Sequence, residues 1–157
     1  TLTLTGYCQL TQFTKESFNI YFKDHSDSLN PIEGLWDVSA TQELYHHDTL
    51  YNVVKSPELI SVAIIKEGDR FQSYNLSGQS FDTEFTLTDV GGVYLYRIFS
   101  PQTNQYSNTH AVICKSGEME YTYDFPDKSI GAKPENTYEE GLRVVNILRW
   151  KKPIPAK

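Results

Sequence analysis

Two short stretches carry the residue types with which a chain can hold a small molecule. Over residues 118–125, strict alternation puts Met119, Tyr121, Tyr123 and Phe125 on one side of an extended chain and Glu118, Glu120, Thr122 and Asp124 on the other. A thioether adapts to irregular shapes, and a phenol joins an apolar ring to a polar tip. Such a face lines a ligand pocket or fills a core, and both readings stand at this level. Over residues 93–100, Tyr94, Tyr96 and Ile98 share one side, while Val93, Leu95, Arg97 and Phe99 share the other. Arg97 among apolar neighbours reads either as an anchor for an anionic group or as a surface cation that reaches water or a carboxylate. The candidate ligand-contacting residues are therefore Tyr94, Tyr96, Arg97, Met119, Tyr121, Tyr123 and Phe125.

Other chemistry has little to stand on. His46 and His47 are adjacent, so on a strand they point to opposite faces and do not share a metal ion. His25 and His110 are isolated, and neither Cys8 nor Cys114 has a close Cys or His neighbour of the kind a zinc site needs. The two cysteines read either as one disulfide tying the N-terminal segment to a late strand or as two buried thiols. There is no G-x-S-x-G elbow and no H-E-x-x-H helix, and the pair Glu139-Glu140 falls in a polar loop without an apolar setting to perturb it. No catalytic residue, metal ligand or cofactor is expected, and the chain reads as non-catalytic.

Composition narrows the partners. The 157 residues carry a net charge of −6 and no basic stripe, which argues against nucleic acid. No run approaches the roughly 18 apolar residues of a membrane-spanning helix. The sequence is 39% hydrophobic and 13% aromatic, with 11 Tyr, 8 Phe and 2 Trp, enough for one domain with a sizeable core and a bias towards strands. It starts without Met, which predicts a processed or excised piece and fits a secreted or extracytoplasmic protein.

The elements that must position these residues are mostly strands. Residues 1–11 alternate with period two. Thr14 is placed to cap a short helix on which Phe18, Tyr21 and Phe22 share a face, and residues 24–31 form a polar loop. Strands follow over 35–41, 59–66, 70–76, 83–88, 93–100, 108–115, 118–125 and 142–150, separated by Gly-bearing turns and a long polar loop over 127–140. Residues 42–55 admit either a helical face or a strand with a turn, and Ser56-Pro57-Glu58 reads as a break. The pattern predicts an all-β fold, an antiparallel sandwich or barrel of about eight strands. An N-terminal appendage over 1–30, a barrel over 31–153 and a tail over 154–157 are the expected units.

Gly34-Leu35-Trp36 opens the first of these strands, directly after Asn30-Pro31-Ile32-Glu33. In this the chain resembles the lipocalin and calycin barrels and their lipocalin-like modules in secreted proteins, over residues 32–150. The resemblance implies a closed antiparallel up-and-down barrel whose Trp36 plugs a blind end. It also implies a basic residue of the last strand stacked on that indole. Arg143 and Arg149, on one parity with Val145 and Ile147, are the candidates, so the closure set is Gly34, Trp36, Arg143 and Arg149. Relatives that hold a carboxylate place a cation inside the barrel, a role open to Arg70 or Arg97. The implied function is the binding of a small, largely apolar molecule. The alternative is a filled barrel that serves as a protein- or glycan-interaction module.

Overall fold

The computed structural model describes residues 13–76, 80–100, 105–126 and 142–153. Among them, one helix, α1 (Lys15–Asp24), precedes eight strands: β1 (Gly34–His46), β2 (Thr49–Glu67), β3 (Arg70–Asn75), β4 (Ser80–Leu87), β5 (Val93–Ser100), β6 (Gln105–Ile113), β7 (Met119–Pro126) and β8 (Leu142–Lys151). All neighbours pair antiparallel in chain order, and β8 returns to β1 from Asp37↔Lys151 to His46↔Leu142, closing the barrel. Eight strands leave an interior just wide enough for side chains or one small ligand. The period-two run over 1–11 and the polar loop over 127–140 lie outside the described residues.

The stretch 42–55 resolves as the far half of a β1–β2 hairpin. His46 pairs with Thr49 across a two-residue turn in which His47 and Asp48 both have positive φ, 48° and 64°. That sign at both central positions gives a turn whose twist matches the flanking strands. Pro57 does not break the chain as expected. β2 runs through it as a bulge, in which residues 57–59 face Ser39 alone between the pairs Val38↔Ile60 and Ala40↔Ser56. A bulge frees Pro from the ladder hydrogen bond it cannot donate.

Period two separates the barrel's faces. Trp36, Val38, Val62, Ile64, Phe71, Phe85, Tyr94, Tyr96, Ala111, Met119, Tyr121 and Trp150 point inward and form one cluster with Ile32. Ala63, Ile65 and Tyr74 point outward and receive Phe18 of α1, with Phe13, Tyr21, Phe22, Leu35 and Leu76 packed around them. Thr14 caps the helix by accepting from the Ser17 amide, so Phe18 arrives one turn in, fully buried. The helix therefore covers the outside of the β1–β3 wall, and the chain then passes beneath the barrel through residues 30–33.

Candidate ligand-binding interior

The base of the barrel is sealed by short-range bonds. Ile32 is buried there, and Trp36 Nε1 donates to its carbonyl at 2.8 Å. The buried Glu33 carboxylate accepts from the Asn30 amide at 2.8 Å and from the Lys66 amide at 3.0 Å. Tyr94 reaches down from β5 to donate its hydroxyl to Asn30 Oδ1. Burial raises the Tyr94 pKa, opposed by a bond at the Ile32 backbone and helped by the Glu33 charge.

The cation over Trp36 is Lys152. Its Nζ lies 5.0 Å from the ring centroid and donates to the carbonyls of Pro31 and Glu33 at 3.1 and 3.0 Å. This corrects the expectation of Arg143 or Arg149. Arg143 sits over Tyr45 at 4.7 Å, and Arg149 pairs with Glu120 at 3.0 Å on the exposed side. The register explains the change. Arg149 lies opposite Ser39 and Arg143 opposite Tyr45, both on the outward parity of β8, so the chain reaches the level of Trp36 only after Lys151. Gly34 belongs to the same device: with φ of 141°, a Cβ there would stand 3.3 Å from Lys152 Cε. The Lys152 stem is exposed while its ammonium tucks under the base, and this loss of water lowers its pKa against the opposing pull of Glu33.

Above this seal the interior is aromatic. Tyr96 and Tyr121 lie 4.4 Å apart, Phe85 and Tyr96 4.6 Å, Phe85 and Trp150 5.8 Å, and Tyr121 and Trp150 6.0 Å. Burial pushes the Tyr96 hydroxyl above its ordinary pKa, partly offset by hydrogen bonds with Tyr121 and Thr83. Polar atoms are interleaved with the rings. Gln42 donates to Asn146 Oδ1 at 2.9 Å, joining β1 to β8. Among the described residues, Ser73 Oγ, Asn146 Nδ2 and Trp150 Nε1 are buried with no hydrogen-bond partner. Such orphans typically cost about 1–3 kcal/mol each, so three in one interior call for an explanation.

Of the sequence candidates, Tyr94, Tyr96, Met119 and Tyr121 are brought together in this interior. Arg97 is not. It points outward, over the Tyr106 ring at 3.7 Å and 3.7 Å from Glu84, beside a shallow pocket of about 50 Å³ lined by Thr83, Glu84, Arg97 and Tyr106. Arg70 is also outside, bonded to Glu84 at 2.9 Å. The side chains of Tyr123 and Phe125 lie outside the described residues. Residues that sequence reasoning missed are Ser73, Phe85, Asn146, Trp150 and Lys152; the even parity of 146, 148, 150 and 152 was the available signal for three of them. Cys114 carries no disulfide and is exposed, so it is neither buried nor cross-linked as expected; Cys8 lies outside the described residues. His46 and His47 meet edge-on at 4.4 Å at the hairpin tip, because His47 occupies the turn rather than a strand. No three His, Cys, Asp or Glu among the described residues cluster as metal ligands.

The fold and interior define a closed eight-stranded antiparallel barrel, compatible with a calycin-like architecture. The chain matches no protein-family model, and searches of curated proteins and of solved structures return no match either.

Proposed function

We propose that this chain is a non-catalytic, lipocalin-like barrel that takes a small, largely apolar molecule into its interior. The supporting observation is the difference between the two ends of the inward face. Trp36 and Val38 at the base are buried, whereas Ala40, Gln42 and Leu44, further along the same face of β1, are only half-buried. An interior lined by rings, sealed below and wetter above, is the shape of a binding cup. Trp36 and Trp150 both belong to that lining, so occupancy alters their emission. Titrating the protein with fatty acids, retinoids and tetrapyrroles is expected to shift or quench Trp fluorescence with saturation. A flat response across the whole panel rejects the proposal.

One observation favours the interaction-module alternative. Leu50, Tyr51, Val53 and Val54 on the far half of β2 are all exposed. Residues 49–61 of β2 pair with β1 only, among the described residues. If this ribbon is a protein contact, Val53→Lys abolishes a partner complex while leaving ligand-induced Trp quenching intact.

A further inference from the structure

Building on the binding-cup reading, we infer that the ligand is a neutral molecule carrying hydrogen-bond acceptors, a ketone, quinone, amide or ester on an apolar frame, and not a carboxylate. The inference rests on what the interior offers. Ser73 Oγ, Asn146 Nδ2 and Trp150 Nε1 are donors without partners, on residues only 1%, 3% and 4% exposed. All three stand on the inward side. Trp150 packs among the interior rings, and Asn146 lies two periods of the alternation away, past Leu148, on the same parity of β8. Ser73 lies opposite the inward Ile64 on β3. Trp150 and Asn146 thus line one wall and Ser73 another, and the rings of Phe85, Tyr96 and Tyr121 lie beside Trp150 or one another. An indole N–H donates only, and the Asn146 oxygen is already occupied by Gln42, so both groups on the β8 wall ask for acceptors.

Charge points the same way. The cations that a carboxylate would need, Arg70 and Arg97, lie on the outer face with Glu84. The charged groups at the base, Glu33 and Lys152, are held by the amides of Asn30 and Lys66 and the carbonyls of Pro31 and Glu33. Among the described residues, an anion in the aromatic interior would lose its hydration without gaining a counter-charge, which is far more costly than placing a neutral carbonyl there.

Three bicyclic probes of matched size test this: 2-ethylnaphthalene, 2-acetylnaphthalene and 2-naphthoate, titrated into the full chain by calorimetry. The acetyl compound is expected to bind about tenfold more tightly than the ethyl compound, the ratio one buried hydrogen bond supplies. Naphthoate is expected to bind weakest. Trp150→Phe and Asn146→Leu are expected to bring the acetyl-to-ethyl ratio to within about twofold while retaining the ethyl compound. If those variants do not fold, the wild-type Trp150 indole N–H resonance is the second readout, and it moves downfield only with the acetyl compound. Equal affinities for ethyl and acetyl compounds, a preference for naphthoate, or an internal water kept on Trp150 Nε1 in the acetyl complex each overturn the inference and leave the cup reading standing. No binding of any probe or of the wider panel overturns both.

Discussion

β1 and β2 run side by side through two settings, and the contrast between them separates what holds the barrel from what it offers. At the base, the inward residues of β1 meet other elements: Trp36 finds Ile32 and Lys152 from the chain's two crossings beneath the barrel, and Val38 lies beside Trp150 across the β8 register. Past the Pro57 bulge, β1 stays paired with β8, whereas β2 pairs with β1 alone among the described residues and turns Leu50, Tyr51, Val53 and Val54 to water. Burial drives folding, so stability concentrates at the base. The far half of β2 is thereby left for contacts that barrel closure does not require.

The sharpest way to break this contrast is to remove one residue from each end. Trp36→Ala is expected to destabilise by about 3–5 kcal/mol, because it opens a cavity and strands the Ile32 carbonyl. Val53→Thr on the ribbon is expected to stay within about 0.5 kcal/mol. Urea unfolding followed by circular dichroism reads both, and similar losses at the two positions would mean that the hairpin is as much a part of the core as the base.

The next largest effects refine the description of the seal. Gly34→Ala forces a side chain into a positive-φ position against Lys152, for an expected loss of about 1–3 kcal/mol. Lys152→Ala removes two donors and a cation over an indole, for about 1 kcal/mol. Because the new Cβ meets Lys152, the double variant is expected to lose less than the two singles together. Strict additivity would assign the Gly34 effect to backbone strain alone.

Alkaline pH separates two groups of residues by sign. Tyr94 and Tyr96 have raised pKa values in the folded state. From about pH 10 upward the unfolded chain therefore gives up these protons first, and the stability they confer, complete below that pH, is lost as pH climbs to the folded values. Lys152 acts oppositely. Its folded pKa is lowered, so between that value and about 10.5 the unfolded chain holds the extra proton and stability rises with pH. In Lys152→Met this rising contribution is expected to vanish while the fall above about pH 10 persists. Chemical unfolding at stepped pH decides it, and a variant whose pH curve is unchanged removes Lys152 from the account.

Much of the inward face was readable from alternation. Tyr94, Tyr96, Met119 and Tyr121 fall where period two places them, and the Thr14 cap and Phe18 contact follow from residue type. The seal was less legible, because the register between β1 and β8 decides which cation meets Trp36. A shift of a few residues exchanges Arg149 for Lys152, and the distant segments pair without a turn to fix them. Ser73 and Asn146 looked like ordinary polar residues in strands; only closure of the barrel gives them a dry surrounding. The β1–β2 hairpin stayed one of two readings of residues 42–55 because its turn is His47-Asp48, lacking the glycine that usually marks a two-residue connection.

That turn supplies the smallest expected effect and acts only on the open end. His47 and Asp48 hold left-handed backbone, which His and Asp adopt more readily than most residues but still less freely than Gly. Replacing the pair by Asn-Gly relieves the strain but gives the unfolded chain more freedom, so the two effects partly cancel. A net gain of about 0.5 kcal/mol is expected, read as a small rise in Tm without a change in ligand-induced Trp quenching. The separation of the two readouts is the point. If the tip is independent of the sealed cup, stiffening it leaves binding alone. If quenching affinity moves with it, the ribbon and the interior act as one unit, and the division between the base that holds and the end that offers must be redrawn.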